Sequence, residues 1–262
     1  MIHVENLVKT FGEFRAVDGI SFDVQPGEIF AFLGPNGAGK TTTIKMLTTL
    51  LPPTSGTLTL DGLDPAKHAS EARRRFGIVF QDPSLDIELT AYENMEIHGE
   101  LYGVARKLRV ERIESLLKLF ELWERRDDFV KTFSGGMKRR LEIARGFLHT
   151  PKILFLDEPT LGLDPQSRNQ LWNHVKHVNQ TEGVTVFLTT HYMDEADRVA
   201  QRIAIIDHGK IVAQGTSAEL KQQTNSDSLE AAFLALTGSA IRDEAANSTD
   251  QLRQMTKMWG RR

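Results

Sequence analysis

The rhythm of apolar and polar positions divides this chain into three regions and a tail. From Met1 to about Gln81, short apolar runs are separated by turn residues. Residues 2–8, 20–24, 28–33, 56–60 and 76–80 read as strands, bounded by signals such as Gln25-Pro26-Gly27 and Pro52-Pro53-Thr54-Ser55-Gly56. The run EIFAFL, from Glu28 to Leu33, predicts a strand buried on both faces. After Lys40, Ile44, Leu47, Leu50 and Leu51 fall at helical spacing. From about Asp82 to Thr150 no strand-like run occurs. There, residues 108–122 place Leu108, Ile113, Leu116, Leu117, Leu119, Phe120 and Leu122 mostly along one helical face. From Pro151 to about Gly215 apolar runs return (KILFL, VTVFLTT, RIAIID, KIVAQG), with a helical pattern between Gln166 and Thr181. Strands alternating with helices predict an α/β fold with a parallel sheet. Ser228 to Leu236 reads as a short amphipathic helix, and residues 237–262 as a polar, weakly patterned tail that is flexible or contact-forming.

Composition narrows the function classes. At 262 residues and 40% hydrophobic content the chain can bury a sizeable core. A net charge of −3 argues against a general nucleic-acid binder. With no cysteine, disulfides, thiolate metal sites and cysteine nucleophiles are excluded. The first residues alternate like a strand and carry acidic groups, unlike a signal peptide. No stretch approaches the roughly 18 consecutive apolar residues of a membrane span. A membrane role is therefore expected to run through a partner chain.

The chemistry concentrates where strands end. Gly34-Pro35-Asn36-Gly37-Ala38-Gly39-Lys40-Thr41 fits G-x-x-x-x-G-K-[ST] without a mismatch, between a buried strand and a helix. Its glycines allow successive backbone N–H groups to point inward as an anion nest. The helix N-terminus adds its partial positive charge, Lys40 places a full one among phosphates, and the Thr41 hydroxyl can ligate the accompanying Mg²⁺. Thr42 continues the cradle.

A second motif, Ile153-Leu154-Phe155-Leu156-Asp157-Glu158, is an apolar strand ending in two carboxylates. In P-loop enzymes such a strand holds Mg²⁺ through its aspartate, opposite the loop. Glu158, one residue on, is placed to polarise an attacking water. Between the motifs lies Phe133-Ser134-Gly135-Gly136-Met137, with Ser134 suited to cap a helix over 137–148 and the glycines exposing backbone N–H groups. This makes a second anion site from a helix N-terminus. Taken alone, a Ser-Gly-Gly turn is more often structural.

The order GPNGAGKT, FSGGM, ILFLDEPT closely resembles the ATP-binding cassette of ABC transporters, over roughly residues 1–236. The resemblance implies a P-loop (RecA-like) core with an N-terminal antiparallel β region and a helical subdomain inserted at about 82–150. It implies ATP and Mg²⁺ as cofactors and a second, head-to-tail cassette whose Ser134, Gly135 and Gly136 cover the nucleotide held by the first. Other positions match the family in turn. Phe11 stands where an aromatic stacks on adenine, and Gln81 where a glutamine ligates Mg²⁺ and water and relays to the membrane domain. Asp164, in Leu161-Gly162-Leu163-Asp164, stands where an aspartate lies at the cassette interface, and His191 where a histidine contacts the γ-phosphate. The expected catalytic set is Glu158, His191, Lys40 and Gln81, and the expected metal set Thr41, Gln81 and Asp157. Met137 and Phe133 replace the Gln and Leu common in the family, but both leave the serine hydroxyl and glycine N–H groups in place.

FSGGMKRR, LTAYEN, His191-Tyr192-Met193-Asp194-Glu195-Ala196 and SLEAAFLALTG are similar to ATP-binding subunits of the daunorubicin-resistance type, which pair with separately encoded export permeases. The implied function is the ATPase of a membrane exporter, held at the cytoplasmic face of the cell membrane through its permease. A soluble cassette for cofactor assembly or for nucleic-acid or ribosome remodelling is one alternative, and an importer ATPase another. No internal repeat is found, so the second cassette is expected from another copy or another chain.

Overall fold

A computed structural model describes residues 1–238. The expectation for residues 239–262 lies outside the described residues. Two sheets face each other. Strands β1 (Ile2–Phe11), β2 (Phe14–Val24) and β4 (Ser55–Leu60) form an antiparallel sheet in the order β2-β1-β4. The second sheet runs β5-β6-β7-β3-β8-β9, from β5 (Phe76–Val79), β6 (Ile153–Asp157), β7 (Thr185–Thr190), β3 (Ile29–Leu33), β8 (Arg202–Asp207) and β9 (Lys210–Gly215).

Five of these six strands are parallel, and β9 returns antiparallel to β8. That corrects the expectation of a parallel sheet at one edge, and connection length explains it. Only His208 and Gly209 separate the two strands, both at positive φ (44° and 76°). Two residues make a hairpin turn, whereas a parallel crossover needs a dozen or more.

The parallel strands bury both faces, as their unbroken apolar runs require. On β3, Phe30 and Phe32 point to the antiparallel sheet, while Ala31 and Leu33 belong to the core under the helices. Phe22, Phe30, Phe32, Phe155 and Phe187 stack or tilt against one another with ring centroids 5.6–5.8 Å apart. Each fully buried ring contributes about 1.5–3 kcal/mol by leaving water, which fixes the separation of the sheets.

The helices are α1 (Lys40–Leu47), α2 (Ala69–Arg75), α3 (Ala91–Leu101), α4 (Arg106–Leu119), α5 (Gly135–Phe147), α6 (Pro165–Glu182), α7 (Met193–Val199), α8 (Ser217–Gln223) and α9 (Leu229–Thr237). Between β5 and β6 the chain forms helices and turns with an isolated bridge between Thr90 and Phe129, and α3, α4 and α5 pack through Met95, Ile113, Leu117, Phe120 and Leu141. A capping box between Thr90 and Glu93 starts α3, and Asp164 with Pro165 starts α6.

Two sequence expectations overreach. The helix after Lys40 stops at Leu47, the chain turns at Thr49 (φ 65°), and Leu50 is 59% exposed. Leu108 lies on the outer side of α4, and Leu122 is buried only after that helix has ended. The seven-residue helices α2, α7 and α8 were not legible, because too few of their residues are apolar to set a period. No helix among the described residues is long and apolar enough to cross a membrane.

Candidate functional site

Register gathers the site at one edge of the sheet. Leu33 of β3 pairs with Thr190 of β7, and Thr189 of β7 pairs with Asp157 of β6. The loop after β3, the carboxylates ending β6 and the histidine after β7 therefore leave neighbouring strands at the same, carboxyl end. That is the crevice where open α/β sheets bind ligands.

The loop from Gly34 to Lys40 is built on close backbone packing. Gly39 caps α1 at φ 107°, and a Cβ there would lie 2.5 Å from the Ala16 carbonyl of β2. A Cβ on Gly34 would lie 2.4 Å from the Ile206 carbonyl. Gly34, Ala38, Gly39 and Lys40 are buried, Pro35 is half-buried, and Asn36 and Gly37 form the exposed tip. Ala38 donates to Pro35 O and accepts from Gly209 N, which pins the loop to the β8–β9 turn. No side chain caps α1, so its first N–H groups face the crevice. Thr42 is half-buried on its first turn.

Lys40 is 5% exposed and satisfied from within the chain. Its Nζ donates to Gly34 O at 2.8 Å and Pro35 O at 3.1 Å, and lies 3.0 Å from Glu158 Oε1. The other Glu158 oxygen lies 3.0 Å from His191 Nδ1. Burial alone would push the Glu158 carboxyl up, but the His191 bond and the Lys40 charge outweigh it and lower it to about 2. Asp157 behaves in the opposite way. Burial raises its carboxyl above the ordinary range, against the hydroxyls of Thr189 at 2.6 Å and Thr41 at 3.4 Å. Glu158 stands at φ 46°, a left-handed conformation costing about 1–3 kcal/mol, and its N–H donates to Thr189 O and Oγ1.

The structure thus brings together Lys40, Thr41, Asp157, Glu158 and His191. Gln81 follows β5, beside β6, but is exposed and hydrogen-bonds to no described residue. Phe11 ends β1, half-buried, with Lys9 Nζ 5.3 Å above its ring.

The remaining expected residues form a second locus. Ser134 caps α5 and accepts from Met137 N at 3.3 Å, leaving Gly135 exposed and Gly136 half-buried. Asp164 caps α6, accepting from Ser167 N at 2.9 Å and Ser167 Oγ at 2.6 Å, which holds its carboxyl below the usual range. A Cβ on Gly136 would lie 2.9 Å from Ser167 Oγ, so the two helix N-termini sit side by side at the surface.

Sequence reasoning missed two contributors. Thr189 bridges both carboxylate residues from a strand interior, where a threonine carries no signal beyond β propensity. Arg139 lies within a basic run that reads as solvated surface, yet it is 7% exposed. The Glu142 spacing (i, i+3) on the same helix is the one hint that it is paired.

The donors fit a nucleotide with a hard cation. An uncapped α1 terminus and Lys40 face one crevice, and the oxygens of Thr41 and Asp157 are the donors a small divalent cation takes alongside phosphates and water.

Residues 17–161 match the family described as ABC transporter. The chain is 48% identical to the daunorubicin/doxorubicin resistance ATP-binding protein DrrA of Streptomyces peucetius, over 87% of this chain and 69% of that protein. It is 43% identical to the linearmycin resistance ATP-binding protein LnrL of Bacillus subtilis, over 87% and 73%. Among solved structures, it superposes on one described as the ATP-binding subunit of an ABC transporter with TM-score 0.82, at 31% identity, covering 90% of this chain and 99% of that one. A dimeric ATP-binding cassette in a post-hydrolysis state with ADP and Pi gives TM-score 0.74 at 28% identity, over 82% and 98%.

Proposed function

This chain belongs to the ABC transporter family, and from that premise we propose that it is the ATP-hydrolysing subunit of a membrane exporter, working as a head-to-tail pair. The observation that carries the reading is the cluster of Lys40, Glu158 and His191 at the carboxyl ends of β3, β6 and β7, beside the Thr41–Asp157 pair. The resistance names of its relatives support export as the direction of transport.

Within the chain the cradle satisfies itself: Lys40 is held by loop carbonyls and by Glu158. Phosphate oxygens entering the loop compete for the Lys40 ammonium. As Lys40 turns to them, Glu158 loses one of the two cations that depress it and regains basicity toward water. His191 keeps its bond to the other oxygen and orients the carboxylate, which takes a proton from water as that water attacks the γ-phosphate in line and ADP leaves. Thr41 and Asp157, with Gln81 on the β5 side, would hold Mg²⁺, which would supply neutralisation of phosphate charge there. Phe11 offers the adenine a ring at the end of β1.

Within one chain, Ser134 and Asp164 cap their own helices at the surface, and Gly135 and Gly136 open the first of them. In a pair, those N–H groups cover the partner's nucleotide. Closing and reopening moves the segment near Asp82 to Leu89 against a separately encoded permease at the cytoplasmic membrane face. Residues 1–236 form the cassette, with the segment at about 82–150 as its helical part. Comparing ATP turnover and ATP binding in Glu158→Gln tests the reading: turnover is lost and binding kept. Co-purification with a multi-span partner from detergent extracts tests the transport assignment, and recovery on ribosomes would contradict it.

A further inference from the structure

We propose that Arg139, with Glu142, is a positioning residue for the hydrolytic centre, locking the Glu158 turn and the Gln81 loop to the helix that begins at Ser134. The inference rests on the preceding reading of Glu158. Arg139 projects from the second turn of α5 into the interior, where it is 7% exposed and Glu142 3%. Its guanidinium touches three separate segments. Nε donates to Pro159 O at 2.7 Å, and Nη2 to Asp157 O at 3.2 Å and Glu158 O at 3.1 Å. Nη1 donates to Phe80 O at 2.5 Å and to Glu142 Oε2 at 2.9 Å. The other Glu142 oxygen accepts from Ser84 N at 2.7 Å. Gln81 is thus flanked on both sides by residues tied to this pair, although it has no bond of its own.

Two of the four carbonyls it holds belong to the two carboxylate residues, one of which stands in a strained left-handed conformation. Such strain persists only where surrounding contacts over-determine the backbone. Thr189 fixes the N–H side of that turn and Arg139 its C=O side. A buried arginine is costly to desolvate and gives little stability over an apolar residue, so its use here fits geometric precision better than stability. The planar fork is essential, because one ammonium cannot reach Phe80, Pro159, Asp157 and Glu158 together. Since α5 also carries Ser134 and Gly135, the same fork fixes the chain's own carboxylates relative to the surface that covers a partner's nucleotide.

The test uses the full chain with Arg139→Lys, which keeps the charge and loses the fork. The expected result is a folded protein whose kcat falls at least tenfold while KM and the Kd for a fluorescent ATP analogue stay within about threefold, with Arg139→Met lower still. Glu142→Gln, nearly isosteric, provides a second variant that leaves the carbonyl contacts in place; its kcat is expected to fall about threefold or more. Arg139→Lys or Glu142→Gln turning over ATP at the wild-type rate would overturn the proposal. So would a kcat loss matched by an equal loss of ATP binding, which marks a purely structural residue. Glu158→Gln assayed in parallel separates the two readings. Hydrolysis surviving there refutes the assignment of Glu158, whereas its loss there with Arg139→Lys unaffected refutes Arg139 alone.

Discussion

Two surfaces of this chain present helix N-termini to anions, and they differ in how completely the chain satisfies them. Around α1, Lys40, Glu158 and His191 are half-buried or buried and bonded to one another. Around α5 and α6, Ser134, Gly135 and Asp164 are exposed, and their only described partners lie within their own first turns. The first surface is a site whose internal ion pairs a nucleotide must replace. The second, on the proposed reading, is a cover, with nothing beneath it among the described residues. Two kinds of substitution separate these roles: those inside the first surface should strike chemistry, and those on the second should strike closure while sparing the fold.

The largest effect is expected at Glu158. Glu158→Gln keeps the shape and one hydrogen-bond acceptor but removes the charge that polarises water, so kcat should fall about 10²–10⁴-fold with ATP binding retained. Next comes Gly135→Asp, which tests the cover directly. A side chain there meets nothing within 4 Å, and a carboxylate at the first helical position suits the helix dipole. The isolated chain should keep its melting temperature, while kcat drops by roughly tenfold or more as the carboxylate meets a phosphate. If that position faces only solvent, turnover will not change and the comparison breaks.

The motif residues of both surfaces were legible in the sequence because backbone chemistry constrains them locally. A backbone so close to Ala16 O that a Cβ would lie 2.5 Å from it, and a helix start at φ 107°, leave room for glycine alone at position 39. What holds those motifs at their working distances was not legible. Arg139 and Thr189 act through contacts set by the tertiary fold, with Phe80, Pro159 and the end of β6, and nothing in their immediate sequence announces burial. The β8–β9 hairpin shows the same division. The apolar runs identify both strands, but their direction is decided by a two-residue connection.

Thr189→Val sharpens the comparison from the structural side. It leaves buried Asp157 without its 2.6 Å hydroxyl donor, so stability should fall by about 1–3 kcal/mol in denaturant unfolding. The smallest effect concerns acid. Glu158 is held at about 2 against an ordinary 4.5, so the folded state binds its proton later than the unfolded state does. Its contribution to stability is complete above about pH 4.5 and is lost as pH falls toward 2. In Lys40→Met, which removes one of the two depressing cations, the loss should start at the same pH but be smaller and end at a higher pH than in wild type, in acid unfolding followed by circular dichroism.

Light scattering on Glu158→Gln, with and without saturating Mg·ATP, tests most directly whether each chain holds half of two shared sites. The mass should double with nucleotide and stay single in Glu158→Gln carrying Gly135→Asp. A single mass at saturating Mg·ATP, or a doubling that survives Gly135→Asp, would contradict the account.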